Sequence, residues 1–141
     1  MNNLIENLVK LSQNGCLGYF YGPLGCGKTS IIRLVIRSIL NKHDLTVTSP
    51  TFSIVNIYSN IYHCDFYRLK SFNDVEAIGV IDEINNNNIV FIEWPVIIEK
   101  IIKPSFICKV ESGRVIVTVL YDDGAIKTQK SFELDLFKNK N

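Results

Sequence analysis

No run in this 141-residue chain approaches the roughly 20 apolar residues that a membrane span needs, so no membrane association is expected. The four cysteines, Cys16, Cys26, Cys64 and Cys108, are scattered and form no C-x-x-C pair, which argues against a disulfide or zinc framework. An excess of one charge is also missing. Fifteen Lys and Arg against fourteen Asp and Glu leave a net charge of +1, without the broad basic face of an autonomous nucleic-acid binder. Where RNA is involved, a partner is expected to hold it. The N-terminal Met1-Asn2-Asn3-Leu4-Ile5-Glu6 carries neither the basic stretch nor the apolar core of a signal peptide, and a cytoplasmic location is expected.

What is present is a globular composition, 47% hydrophobic and 21% charged, in a length that suits one domain with a real core. No internal repeat or interdomain linker breaks it, so residues 1–141 are read as a single domain. The most informative segment is Gly22-Pro23-Leu24-Gly25-Cys26-Gly27-Lys28-Thr29, a complete match to G-x-x-x-x-G-K-[ST]. It follows an apolar run at 17–21 and opens a helical pattern at 30–40. A strand, a glycine-rich turn and a helix in that order let backbone N–H groups, from Leu24, Gly25, Cys26 and Gly27 through Ser30, converge on a phosphate at a helix N-terminus. Lys28 can reach the β- and γ-phosphates of a nucleoside triphosphate, and the Thr29 hydroxyl can sit on Mg²⁺.

Around the loop, Leu4, Ile5, Leu8, Val9 and Leu11 recur at helical spacing. Ile31, Ile32, Leu34, Val35, Ile36 and Ile39 make the second helix apolar over most of its circumference, as a helix packed on a sheet would be. Residues 46–52 read as a short strand broken by Pro50, and 54–58 with 61–66 as a hairpin turning at Ser59-Asn60. Ser71 and Asp74 mark a helix start, with Gly79 ending a short helix and 85–88 forming a polar loop. Ile89-Val90-Phe91-Ile92 has the continuous apolar character of a parallel strand buried on both faces. Residues 96–102 suggest a short helix stopped by Pro104. The segments 106–111, 115–121 and 125–130 alternate, and are joined at Ser112-Gly113 and Asp122-Asp123-Gly124 as a meander. The expected fold is a three-layer α/β sheet, parallel in the middle and antiparallel at the edges.

A phosphate loop needs a carboxylate at the end of an apolar strand to complete a Mg²⁺ site. Glu93 closes the run 89–92 and is the better metal ligand by pattern. Asp65 closes a less apolar run and is left to hold the attacking water or the metal's outer shell. His63 and Arg68 flank it, His63 on the same strand face, and by themselves they read as a polar edge. Asn41-Lys42-His43-Asp44 matches the guanine-reading N-K-x-D, but it lies just after the phosphate-loop helix rather than on a late strand, and is read as chance. Trp94, the single tryptophan, follows Glu93. It either packs under the loop or faces a partner at the sheet's carboxyl edge.

Several blocks together resemble the bacterial TsaE (YjeE) family. The phosphate loop is followed by Thr48-Ser49-Pro50-Thr51-Phe52 and Tyr58, then by His63-Cys64-Asp65-Phe66-Tyr67-Arg68, an H-x-D-x-Y-R block, and by Glu93-Trp94-Pro95, an E-W-P block. Glu76 and residues 79–83 fit the family's acidic, glycine-containing segment between them. The resemblance implies a P-loop ATPase fold binding ATP and Mg²⁺ with slow hydrolysis. It further implies a role with the TsaB–TsaD heterodimer, which threonylcarbamoylates the adenosine beside the anticodon of tRNA. Carried onto this chain, Gly22, Lys28 and Thr29 belong to the nucleotide site and Glu93 completes the metal site. Asp65 is the catalytic or metal-linked carboxylate, and Thr51 lies in a switch-like loop. Pro23 stands where the family usually has an acid, and Cys26 where it has Ala. The competing reading is a small P-loop kinase acting on a metabolite. Such kinases carry lid arginines, whereas this chain has only Arg33, Arg37, Arg68 and Arg114.

Overall fold

The computed structural model describes residues 2–134. Seven strands, β1 (Cys16–Tyr21), β2 (Val55–Tyr58), β3 (Ile61–Asp65), β4 (Ile89–Glu93), β5 (Phe106–Glu111), β6 (Arg114–Leu120) and β7 (Ile126–Glu133), form one sheet. Their order is β2-β3-β4-β1-β5-β6-β7. The inner strands β3, β4, β1 and β5 run parallel, while β2 on one edge and β6 and β7 on the other run antiparallel to their neighbours.

Period-two alternation divides the core into two layers. Phe20 of β1 and Phe91 of β4 point to the face covered by α1 (Asn2–Ser12) and α2 (Lys28–Leu40), joined there by Leu4, Leu8, Ile32 and Ile36. Leu17 and Tyr19 of β1 and Val90 and Ile92 of β4 point the other way. That face is covered by α3 (Phe72–Ile78), α4 (Val80–Asn85) and the segment after a 3-10 turn at Pro95–Ile97. The three-layer α/β arrangement with a parallel centre is the one the sequence predicts. All five residues of β4 are buried; the first four are apolar, as a strand covered on both faces requires, and the fifth is Glu93.

Where sequence and structure part, the backbone's hydrogen bonds explain why. Residues 46–52 are not a strand but a loop. Side chains occupy the carbonyls a ladder would have used: Arg37 Nε donates to Leu45 O, Arg33 Nε to Val47 O and Asn56 Nδ2 to Thr48 O. Pro50 donates nothing, and its own carbonyl accepts from the Ile54 amide at 2.7 Å, closing a turn. Ile54 itself falls outside β2, at φ 70°. Residues 96–102 are not a helix either. The chain enters from Trp94 at φ 56°, makes the 3-10 turn, and continues as turns tied to the carbonyls of Pro95 and Ile98. Gly79 ends α3, as expected, and α4, which is not expected from the sequence, begins at once after it. Asn41 is the αL C-cap of α2, its amide bonded to the carbonyls of Arg37 and Ser38. The N-K-x-D string is therefore a helix stop at the end of α2 remote from the phosphate loop.

The layer beneath α2 is held by three fully buried rings, Phe20, Phe91 and Phe106, packed edge to face, with Phe20 and Phe91 5.7 Å apart at 81°. Phe91→Ala is expected to cost about 3–5 kcal/mol of stability in denaturant unfolding. A loss below about 1 kcal/mol would show that the strands, not this cluster, carry the core.

Candidate functional site

The carboxyl ends of β1, β3 and β4 lie side by side, because Glu93 is in register with both Phe20 and Asp65. The chain leaves β1 at Gly22 and turns into α2 within a few residues. Gly22 has no alternative. A Cβ there would sit 2.6 Å from Cys26 Sγ and 2.7 Å from the Val110 carbonyl oxygen. Gly27, at φ 106°, is the N-cap of α2 and supplies no side-chain cap. The amides of the helix's first turn have no intrahelical acceptor and face the loop's concavity.

That concavity is a cavity of about 330 Å³, lined by residues 24–30 of the loop together with Ser49, Thr51, Asp65, Glu93 and Trp94. Of the residues expected at the site, only Gly22 lies outside the lining. Its role is to accept, through its carbonyl oxygen, a hydrogen bond from Lys28 Nζ. The Lys28 ammonium also lies 3.8 Å from the centroid of the Trp94 ring, a cation–π contact. Burial holds its pKa below the ordinary lysine value, while Cys26, Glu93 and Asp65 pull it back up.

Thr29 Oγ1 lies 3.0 and 3.2 Å from the two oxygens of Glu93, to which it donates. Glu93 Oε2 is also 2.6 Å from His63 Nε2. Glu93 and His63 are almost wholly withdrawn from solvent, at 4% and 0% exposure. Asp65 Oδ1 accepts the Tyr67 amide at 2.9 Å, and Thr51 Oγ1 stands 3.5 Å from Oδ2. Burial raises the Asp65 pKa above its ordinary value, and the Glu93 charge pushes the same way. Trp94 is half-buried, its ring tilted against Tyr67 at 4.9 Å. It is thus packed on the loop's lysine, as the first of the two sequence expectations for it has it.

Residue pattern alone did not single out His63 or Ser49. The usable signal for His63 was alternation, which puts it on the face of β3 that bears Asp65. Ser49, exposed and 2.6 Å from Thr51 through the hydroxyls, gave no such signal. Arg68 lies away from the carboxylates, its guanidinium 4.7 Å above the exposed Phe52 ring. Among the described residues no helix is long and apolar enough to cross a membrane.

A family model described as threonylcarbamoyl adenosine biosynthesis protein TsaE matches residues 1–117. The chain belongs to the TsaE family. Among curated TsaE proteins, each named for tRNA threonylcarbamoyladenosine biosynthesis, that of Rickettsia typhi is 39% identical over 90 residues, 61% of either chain. That of Haemophilus influenzae is 37% identical over 94 residues, 63% of this chain and 58% of its own. That of Aquifex aeolicus is 34% identical over 94 residues, 64% of this chain and 63% of its own. The chain therefore spans about three fifths of the length of the curated relatives it matches. The TsaE match covers β1 through most of β6, and so all the residues that line the cavity.

The folded chain binds the Asp65 proton more tightly than the unfolded one, because burial raises this pKa. Stability present at low pH is therefore lost as pH rises past the ordinary 3.8 and through the raised value. Above that window the penalty is complete. Asp65→Asn is expected to raise the melting temperature at pH 7 in metal-free buffer, by about 2–4 °C for each kcal/mol relieved in a chain of this size. The advantage should vanish at about pH 3, where the carboxyl is protonated in both states. A lower melting temperature for the variant at pH 7 would contradict the cost assigned to this buried charge.

Proposed function

We propose that the chain is a P-loop ATPase that binds ATP with Mg²⁺ and hydrolyses it slowly when alone. It would act in the cytoplasm with a TsaB–TsaD heterodimer in the threonylcarbamoyl modification of the adenosine next to the anticodon of tRNA, meeting the tRNA only through that complex. Residues 1–141 form one ATPase domain on this reading, of which residue 1 and residues 135–141 lie outside the described part. The observation that carries it is the placement of a loop threonine on a buried strand-end glutamate, beside a second carboxylate and a loop lysine.

The donor set suits Mg²⁺. It offers a hydroxyl and two carboxylates, hard oxygen ligands at the mouth of a phosphate cradle. Among the described residues no three His, Cys, Asp or Glu side chains form a ready-made metal cage. That agrees with Mg²⁺, which is held by one or two carboxylates plus the nucleotide's phosphates rather than by an all-protein cage. Thr29 and Glu93 would hold it, and bound there it would neutralise charge developing on the β- and γ-phosphoryl oxygens.

The remaining roles follow from the protein's own groups. The first-turn amides of α2 and the loop amides bind the phosphates. Lys28 exchanges the Gly22 carbonyl and the Trp94 face for phosphate oxygens. Asp65, its carboxylate fixed by the Tyr67 amide, orients the attacking water and takes its proton; burial makes it a better base than an exposed aspartate. A kinase reading is weaker, since Arg33 and Arg37 are tied to backbone carbonyls behind the loop and are not lid residues.

Lys28→Ala is expected to lose nucleotide binding in calorimetry. Thr29→Ala should keep metal-free binding while hydrolysis falls about 10²-fold or more, as should Glu93→Gln and Asp65→Asn. Wild-type Mg²⁺-ATP affinity in Lys28→Ala would end the assignment. Because nucleotide draws the ammonium off the indole, Trp94 fluorescence should change on adding Mg²⁺-ATP to the wild type and stay unchanged in Lys28→Ala. Many rounds of tRNA modification by a reconstituted complex containing a non-hydrolysing variant would show that hydrolysis is dispensable.

A further inference from the structure

We propose that His63 is a positioning residue for the Glu93 carboxylate: its Nε2–H fixes one carboxylate oxygen so that the other faces the metal. The inference rests on the reading of Glu93 as a metal partner and adds a residue to it. Three observations carry it. His63 is wholly buried and Nε2 stands 2.6 Å from Glu93 Oε2, which Thr29 Oγ1 also reaches at 3.0 Å; Oε1, 3.2 Å from Thr29, takes no hydrogen bond from the ring. The Nδ1 atom is buried and has no hydrogen-bond partner among the described residues. A neutral imidazole carries one N–H, and placing it on Nδ1 would strand a donor and set a bare nitrogen against a carboxylate. The tautomer is therefore Nε2–H, and the ring is a donor to Glu93.

The third observation concerns the backbone. His63 is in register with Phe91, two residues before Glu93 on the neighbouring strand, and both belong to the parallel ladder of β3 and β4. Neither side chain sits on a loop, so the pair is held by two hydrogen-bonded strands of the sheet's parallel part. A carboxylate anchored by one oxygen presents the other in a single direction. Outer residues that orient a ligand in this way typically change metal affinity 10–100-fold when removed. His63 is not itself among the residues that line the cavity and reaches it only through Glu93, so its action must pass through that carboxylate.

The test measures nucleotide binding against Mg²⁺ concentration, with ADP as the probe, in wild type, His63→Gln and His63→Phe. Glutamine places an N–H at the reach of Nε2; phenylalanine keeps the ring and removes the donor. We expect metal-free ADP binding to be the same in all three. His63→Phe should need about tenfold or more Mg²⁺ to reach half of its metal-dependent gain in affinity. His63→Gln should recover most of that shift, which a purely space-filling role would not produce. Two variants with the wild-type Mg²⁺ requirement would overturn the inference and leave the ATPase reading standing. A wild type whose binding ignores Mg²⁺ would overturn both.

A measurement on the unmutated protein covers the case in which His63→Phe fails to fold. The chain has two histidines, and His43 is exposed in the turn after α2. Long-range ¹⁵N–¹H spectra of histidine-labelled, nucleotide-free protein should therefore show one averaged, solvent-exposed ring and one ring with a fixed proton on Nε2. A bare Nε2 on the buried ring would overturn the proposal.

Discussion

One buried carboxylate organises the end of the sheet that carries the cavity. Glu93 stands at the end of a strand whose five residues are all withdrawn from solvent, where an uncompensated charge would cost several kcal/mol. It is compensated by two groups that both reach Oε2, the Thr29 hydroxyl and the His63 ring. Those hydrogen bonds tie the phosphate loop to β4 and β4 to β3. The relative placement of three chain segments, distant in sequence, thus depends on the same few donors.

The second acid makes the site unequal. Asp65 lies directly across from Glu93 in the β3–β4 register, and two carboxylates at neighbouring strand ends repel each other. The strain is distributed by environment. Glu93 has strong donors, whereas Asp65 has a backbone amide and a distant hydroxyl, and burial lifts its pKa. On the proposed reading Asp65, the poorly compensated of the two, suits the task of a proton acceptor. On the proposed reading a divalent cation would stabilise the pair further, so the cost of keeping two acids together is recovered when the site is filled. Sites that sacrifice stability in this manner are a common trade in proteins.

How much of this could be read from the sequence follows the kind of signal each part gives. The phosphate loop, the strand that ends in Glu93, and the parallel core are written in local order: glycine spacing, a continuous apolar run, a helix that follows at once. The loop at 46–52 was misread as a strand because Thr46, Val47 and Thr48 favour extended backbone. What decides the matter is non-local: the carbonyls of Leu45, Val47 and Thr48 are taken by Arg37, Arg33 and Asn56, whose side chains arrive from other elements. Residues 96–102 were misread for a related reason, since their apolar spacing reports burial against β1 and the second core layer rather than helicity. His63 illustrates the limit from the other side. Its residue type and its place near Asp65 were legible, while the proximity of its ring to a glutamate 30 residues later required the parallel register of β3 and β4.

Lys28 has partners of its own within the protein. An ammonium in a cavity with two carboxylates nearby would be drawn toward them, which would close the cradle on itself. Here it is held instead by the Gly22 carbonyl and by the face of Trp94, both weaker partners than a phosphate. The αL backbone of Trp94, φ 56°, is what turns its ring over the lysine immediately after Glu93 leaves the sheet, a conformation that costs of order 1 kcal/mol in a non-glycine residue. The 3-10 turn that follows begins with Pro95, whose fixed φ suits a first helical position and holds the chain's exit from that conformation. The strand, the strained residue and the proline thus act as one unit, with Glu93 placed by the ladder and Trp94 placed by the turn that ends it. The loop's cation is kept available because the Gly22 carbonyl and the Trp94 ring at the rim of the sheet hold it by contacts that it can leave.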